Sequence, residues 1–362
     1  MRRDTPVVIA GASFAGLAVA RELGPRALLL DGDPVGEGQT SACGAPVRVL
    51  RAVEAGASIQ EVHHDLVIHT PGRDVRWPLP EPFCTFDYRT CCRAAFEASG
   101  AAFLRAAVYG HRDGTVALTS AGEIRARLLV DATGWRAALS RTPGSDSRLP
   151  AAVTRGPAGG RYFGLEVEVP ATFETGLHFY FSSDIVRGGY AWVFPAGRVV
   201  RAGILSYRAR SGLGPQLEAF LGRLGLPSGP RHGGFLPTRL GPPVVDGVFL
   251  VGDAAGHCLP LTGEGIRSAV WAGRVCGRLL RGVLAEEMTP AGAAAGYAAY
   301  AERQRRRYRV LEWSTAVALT FPARVLGVLA AGVSRPGPLR AFMARYLAMF
   351  AADVGAEAAL PA

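Results

Sequence analysis

The chain has 362 residues, 49% of them hydrophobic, enough for two or three domains with a sizeable core. Its net charge is +10, yet all forty basic residues are arginine and they are scattered among abundant Ala and Gly. This is compositional bias rather than a basic stripe, and with no nucleic-acid motif present a nucleic-acid partner is excluded from the expected functions.

Met1-Arg2-Arg3 leads almost directly into an apolar strand, without signal-peptide anatomy. No uncharged apolar stretch reaches the roughly 18 residues of a membrane span. Residues 313–333 come nearest and are broken by Pro322 and Arg324. The six cysteines, at 43, 84, 91, 92, 258 and 276, show neither CxxC nor a Cys/His spacing suited to zinc. No metal site is expected, and the expected setting is the reduced cytoplasm.

Residues 7–10 (VVIA) are a continuous apolar run, the mark of a parallel strand buried on both faces. Gly11-Ala12-Ser13-Phe14-Ala15-Gly16 follows, then a predicted helix over 17–23 and a second apolar strand over 27–30 that ends at Asp31. This is a βαβ unit with a phosphate-binding turn, and Asp31 is placed to accept hydrogen bonds from an adenosine ribose. The middle glycine of the G-x-G-x-x-G pattern is Ser13, still small enough to let a diphosphate close.

Residues 40–47 form a loop of small residues that runs into a helical stretch near 47–55, and 66–79 read as two short strands about Pro71-Gly72. Asp87 is an N-cap candidate for a helix ending at Gly100. Strands are predicted over 103–108, 115–119 and 126–130, the last running into Asp131-Ala132-Thr133-Gly134, a further junction where backbone meets a cofactor. From 161 to 207 the period changes to two, and strands at 163–169, 177–181, 190–194 and 199–206 predict an antiparallel meander. One helix, 216–224, then leads back to a buried strand at 248–251. Gly252-Asp253 follows that strand, and Gly263-Glu264-Gly265 opens a helix; these supply glycines without Cβ, a carboxylate for a ribityl hydroxyl and free N–H groups. Residues 291–362 read as helices rich in Ala and Arg.

The expected fold is α/β. A Rossmann-like dinucleotide-binding domain is discontinuous over 1–60, 84–150 and 236–290. An antiparallel-sheet substrate domain occupies 61–83 and 151–235, and a helical region occupies 291–362.

Taken in order, the motifs Gly11–Gly16, Asp131–Gly134 and Gly252-Asp253-Ala254-Ala255-Gly256 resemble the large flavoprotein class that includes aromatic hydroxylases. Pro260-Leu261-Thr262-Gly263-Glu264-Gly265-Ile266 is similar to the flavin-binding helix start of the geranylgeranyl reductase family. Tyr190-Ala191-Trp192-Val193-Phe194-Pro195 is similar to that family's Y-x-W-x-F-P substrate motif, and Cys43-Gly44 to its Cys-Gly loop near the flavin. The resemblance covers about residues 5–290. It departs at Ser13 and at Gly203-Ile204-Leu205, where the second glycine of a G-x-G is lost.

The resemblance implies an FAD-dependent oxidoreductase that reduces carbon–carbon double bonds of an isoprenoid or other apolar substrate. The alternative is a monooxygenase or epoxidase acting on an apolar natural product; a halogenase is disfavoured because that chemistry relies on an active-site lysine and the chain has none. The implied FAD contacts are Gly11, Ser13, Phe14, Ala15, Gly16, Asp31, Cys43, Gly44, Arg89, Val108, Gly252, Asp253, Gly263, Gly265 and Ile266, with Tyr190, Trp192, Phe194 and Pro195 at the substrate. In a strand Tyr190, Trp192 and Phe194 share a face, either as packing or as an apolar wall over the flavin.

Saturating a double bond takes a hydride and a proton. Cys43, Tyr190 and His257 are the implied catalytic residues, with a structural role the competing reading for His257 and for Cys43. No second glycine-rich βαβ unit is visible, so the electron donor is NAD(P)H bound transiently or a reduced redox protein. The arginine run at 303–309, ahead of an apolar stretch, suggests either helix packing or peripheral contact with a membrane.

Overall fold

The computed structural model describes residues 3–140, 161–208, 212–333 and 336–350, folded around two eight-stranded sheets. The first sheet runs Val244–Val245, Val248–Leu250, Gly122–Asp131, Arg3–Ala10, Ala27–Asp31, Ala102–Arg105, and its other two strands, Val108–Arg112 and Val116–Thr119, form a hairpin that joins Gly122–Asp131. From Val248–Leu250 to Ala102–Arg105 neighbouring strands are parallel. The apolar runs explain this: Val7, Val8, Ile9 and Ala10 are fully buried, so helices must cover both faces. The helices Phe14–Leu23 and Ile266–Leu284 cross on one face with their backbones in contact, since a Cβ at Gly273 would lie 2.6 Å from the Ala15 carbonyl oxygen.

Several elements arise as the sequence predicts. Asp87 caps the helix Tyr88–Ser99 by accepting from the Thr90 N–H at 2.7 Å, and Gly100 ends it in the left-handed region at φ 64°. The strand expected over 103–108 is instead two, Ala102–Arg105 and Val108–Arg112, because the Ala106 N–H turns back to the Asp31 carbonyl.

The second sheet runs Arg231–Pro237, Arg161–Pro170, Val199–Ser206, Gly189–Ala196, Leu177–Tyr180, Ile59–Thr70, Arg73–Phe86, Gly44–Pro46. It is not the plain antiparallel meander expected. Arg161–Pro170 pairs with Val199–Ser206, and Leu177–Tyr180 lies parallel to Ile59–Thr70. The two short strands expected at 66–79 are arms of one hairpin, 12 and 14 residues long. Prolines hid its length: Pro80 and Pro82 fall in the irregularity between the Asp65–Pro78 and His63–Phe83 pairs, where no ladder donor is needed.

Three helices follow, Pro290–Ala318, Ala323–Val333 and Pro336–Leu347. The first buries Tyr297, Tyr300, Tyr308 and Leu311, and its Tyr297 hydroxyl donates to the Leu250 carbonyl at 2.9 Å. The last returns to the second sheet, where Leu339, Met343 and Leu347 join Tyr190, Trp192 and Phe194 in one apolar cluster. The boundary expected at 150/151 and the end of the helical region, 351–362, lie outside the described residues.

Candidate active site

A cavity of about 770 Å³ opens between the two sheets and takes lining from both. Its first end is built by strand ends and helix starts. The helix Phe14–Leu23 has Ser13 at its N-cap without a capping side-chain bond, and the Ser13 hydroxyl accepts from Tyr88 at 3.1 Å. The helix Ile266–Leu284 starts at Gly265, also without a side-chain cap. Both starts line the cavity, so first-turn N–H groups and the positive ends of two helix dipoles face one space.

The glycines there serve the protein backbone first. A Cβ at Gly11 (φ 105°) would lie 2.1 Å from the Ala132 carbonyl oxygen, and one at Gly16 would lie 1.9 Å from that of Gly11. One at Gly252 would lie 2.8 Å from the Ala15 methyl. Gly134, by contrast, meets nothing within 4 Å and lines the cavity. The turn that carries it hangs on Asp131, fully buried, which accepts from the Thr133 N–H and hydroxyl at 3.0 and 2.7 Å and the Ser140 N–H at 2.7 Å. Asp31 accepts from the Ala12 N–H at 2.8 Å and lines the cavity beside Val108.

Asp253 is the residue most in need of a ligand. Its half-buried carboxyl faces the cavity with no hydrogen-bond partner among the described residues, and burial alone pushes its pKa up to about 6. An unpaired, half-buried carboxyl beside two open helix starts fits a hydroxyl-bearing dinucleotide such as FAD.

The second end of the cavity is aromatic. Tyr190, Trp192 and Phe194 line it together with Phe83, Phe179, Leu236 and Met343. Tyr190 donates its hydroxyl to the Thr262 carbonyl, and Tyr207 donates to that of Leu261 at 2.9 Å, so the second sheet holds the loop that starts the Ile266–Leu284 helix. Burial pushes the Tyr190 pKa well up, and its proton is already committed. Trp192 lies over Gly203, where a Cβ would come within 2.2 Å of the indole Cζ2. The indole Nε1–H donates to Glu166 Oε2 at 2.6 Å, and Glu166 Oε1 lies 2.9 Å from His232 Nε2.

The helix Pro336–Leu347 closes this end. The Tyr346 hydroxyl donates to Glu264 Oε2 at 2.6 Å, beside Thr262 Oγ1 at 2.7 Å. Arg267 donates to Glu264 at 2.7 and 2.9 Å and to the Met349 carbonyl at 2.7 Å, and Arg48 donates to the Leu347 carbonyl at 2.8 Å. Burial pushes the Glu264 carboxyl up, but Arg267 and the Tyr346 hydroxyl outweigh it and hold the carboxyl below its ordinary value.

Cys43 lines the cavity at φ 51°, with its Sγ 3.4 Å from the Ser41 carbonyl, and Gly44 lets Phe194 approach. Burial raises the Cys43 thiol pKa well above its ordinary value, against the nearby Arg201, so the group is a protonated thiol and not a reactive thiolate. Four residues expected at the site do not line the cavity: Gly16, Arg89, Pro195 and His257. Arg89 pairs with Glu37 at 2.9 Å in solvent, and Pro195 lends its carbonyl to Thr85 Oγ1 at 2.6 Å. His257 Nδ1 accepts from the Gly252 N–H at 3.1 Å, and burial drives its pKa down to about 3, so it is a neutral hydrogen-bonder. No metal-ligating cluster occurs among the described residues.

No family model matches the chain. It is 30% identical over 167 residues to a digeranylgeranylglycerophospholipid reductase of Methanosphaerula palustris, covering 43% of this chain and 40% of that protein. A protein named digeranylgeranylglycerophospholipid reductase 2, from Methanopyrus kandleri, is 30% identical over 185 residues, 47% of this chain and 45% of its own length. The chain thus matches less than half the length of these curated relatives. Among solved structures, a geranylgeranyl bacteriochlorophyll reductase-like protein from Thermoplasma acidophilum superposes with a TM-score of 0.79 at 19% identity, over 99% of both chains. The fold is that of the geranylgeranyl-reductase-like proteins. The p-nitrophenol 4-monooxygenase of Pseudomonas putida shares it more distantly, with a TM-score of 0.73 at 15% identity over 96% of this chain and 98% of that one.

Proposed function

We propose that the chain is an FAD-dependent oxidoreductase that reduces carbon–carbon double bonds of an isoprenoid or other apolar substrate. The observation that carries this reading is a single cavity joining two uncapped helix starts and the partnerless Asp253 to the chamber of Tyr190, Trp192 and Phe194. In this reading the first turn after Ser13 holds the diphosphate, Asp31 the ribose and Asp253 a ribityl hydroxyl. Gly252, Gly263, Gly265, Ile266, Val108 and the Cys43-Gly44 loop lie against the cofactor. When bound, the flavin supplies the two electrons of the reaction. The aromatic wall holds the substrate chain and excludes water, and the Tyr190 and Tyr207 tethers keep the flavin-side loop in register with that wall.

Electrons come from NAD(P)H or from a reduced redox protein. We further propose the division 1–60, 84–150 and 236–290 for the cofactor domain and 61–83 and 151–235 for the substrate domain; residues 44–46, 59–60, 84–86 and 236–237 of the first group belong to strands of the second sheet. We also propose a cytoplasmic protein that touches membranes peripherally. No helix among the described residues is long and apolar enough to cross one. However, Val310, Trp313, Val328, Leu329 and Phe342 are exposed on the last helices and Phe321 in the turn between two of them, and no acidic residue occurs between 313 and 350. Such a surface suits an anionic lipid interface, and salt-sensitive retention on anionic but not neutral vesicles is the measurement for it.

The deciding experiment reduces the purified protein anaerobically and offers a polyprenyl panel and oxygen separately. Reoxidation of the flavin by a polyprenyl compound without oxygen is expected. A colourless protein that cannot be reconstituted with FAD sinks the reading, and substrate turnover only with oxygen moves the assignment to a monooxygenase.

A further inference from the structure

The reduction proposed above needs a proton as well as a hydride, and the three donors the motifs suggest are all engaged. The Cys43 thiol bonds the Ser41 carbonyl, the Tyr190 hydroxyl bonds that of Thr262, and His257 is neutral and away from the cavity. The sheet carries another route. Trp192, Gly203, Glu166 and His232 are register partners in one row across four strands. Glu166 lines the cavity with its side chain 3% exposed, whereas His232, on the edge strand Arg231–Pro237, is 24% exposed. The two side chains meet at 2.9 Å.

We propose that Glu166 is the proton donor of the site and that His232 reloads it from solvent. The inference rests on the reduction proposed above. A carboxylate offers about four lone-pair positions, and the indole and imidazole occupy two, so Glu166 keeps capacity toward the cavity. In the step, one carbon of the double bond takes up a hydride from the reduced flavin and the neighbouring carbon takes up the Glu166 proton. The double bond becomes a single bond, two C–H bonds form and the flavin is oxidised. Glu166, now a carboxylate, receives the Nε2 proton of imidazolium His232, which recovers one from water.

Trp192 fixes the carboxyl by its bond at 2.6 Å, and the absent side chain at Gly203 lets the indole reach it. The charged and titratable groups around the pair are the Cys43 thiol and, on the same sheet, Arg201 bound to Glu168 at 2.8 Å and Arg231 bound to Glu218 at 2.6 Å. Arg231 and Arg201 are already paired with acids of their own, which leaves His232 as the partner of Glu166.

The test uses the full chain and two variants, Glu166→Gln, which keeps an acceptor for the indole, and His232→Ala. In flavin-free, histidine-labelled protein, the NMR resonances of the His232 ring are expected to move in Glu166→Gln, because the carboxyl oxygen that its Nε2 meets at 2.9 Å is replaced by an amide. Unmoved His232 resonances overturn the relay whatever the activity. In the reduced holoprotein, Glu166→Gln should keep its flavin but slow polyprenyl-dependent reoxidation by about 10²- to 10⁴-fold, the range for a positioned acid. His232→Ala should slow it less and recover with added imidazole. Undiminished reoxidation in Glu166→Gln overturns the proposal. If the wild type itself is not reoxidised by any polyprenyl compound while the NMR shift persists, the failure lies in the proposed function.

Discussion

Gly203 offers the sharpest test of how the aromatic chamber is built. Its backbone is not left-handed, so alanine would be tolerated there by conformation, and in a strand alanine is ordinarily favoured over glycine by about 0.5–1 kcal/mol. Yet its Cβ would sit 2.2 Å from the Trp192 ring, and the indole must move. Overpacking of this kind costs about 1–3 kcal/mol. Movement also breaks the bond to Glu166 and leaves a buried carboxyl oxygen short of a donor, for a further cost of about 1–3 kcal/mol. Less the gain of alanine over glycine, Gly203→Ala should therefore destabilise by about 1–5 kcal/mol in denaturant unfolding of the flavin-free protein. In a Trp192→Leu background the ring is absent, and the same alanine should cost under about 1 kcal/mol. Equal costs in the two backgrounds would refute the argument, because then the indole is not what Gly203 accommodates.

Three further outcomes are expected. Asp253 has a folded pKa of about 6 against an ordinary 3.8, so the native state holds its proton longer than the unfolded chain does. The flavin-free protein should therefore lose stability as pH rises from about 4 through 6, by at most about 3 kcal/mol. Asp253→Asn should abolish that slope in melting experiments and weaken FAD binding in titrations. Glu264 has the opposite sign, since its folded carboxyl lies below the ordinary value of 4.5. Its contribution is full above the ordinary carboxylate range and is lost as pH falls through the lowered native value. Arg267→Ala, which leaves Glu264 buried and unpaired, should cost about 3–5 kcal/mol and expose residues 336–350 to limited proteolysis. Finally, Gly134→Ala should cost only the left-handed penalty of about 1–2 kcal/mol, whereas Gly11→Ala should prevent assembly of the first sheet, as judged by soluble yield and thermal unfolding.

The first sheet was legible because its signals are local. Residues 7–10 and 27–30 are apolar runs, Asp87 and Gly100 bound a helix, and Gly252-Asp253 follows a buried strand. The second sheet was less so, because its order depends on pairings between distant segments that no window of sequence contains, such as Leu177 with Leu66. Within the cavity, the motifs pointed to Tyr190, Trp192 and Asp253 but not to what their polar atoms reach. Glu166 reads as one polar residue in an alternating strand, and only the row through Gly203 brings it to the indole. Met343 and Tyr346 carried no signal at all, since the helix that holds them meets the cavity through tertiary packing alone. The glycine motifs were found, but their main duty is contact between backbones rather than space for a ligand.

The attachment of the helix Pro336–Leu347 has a further consequence. Arg267 and Arg48 grip it by the carbonyls of Leu347 and Met349, groups that every residue possesses, while Met343 faces the chamber with its side chain. Apart from the Tyr346 hydroxyl on Glu264, the socket therefore reads main chain, at 347 and 349, and the chamber reads side chains. A segment docked this way can change at its chamber-facing positions so long as Tyr346 and the two carbonyls stay in place. The depth and shape of the apolar chamber can then diverge among related proteins, or be redrawn by grafting, while Gly11, Asp31 and Asp253 stay untouched.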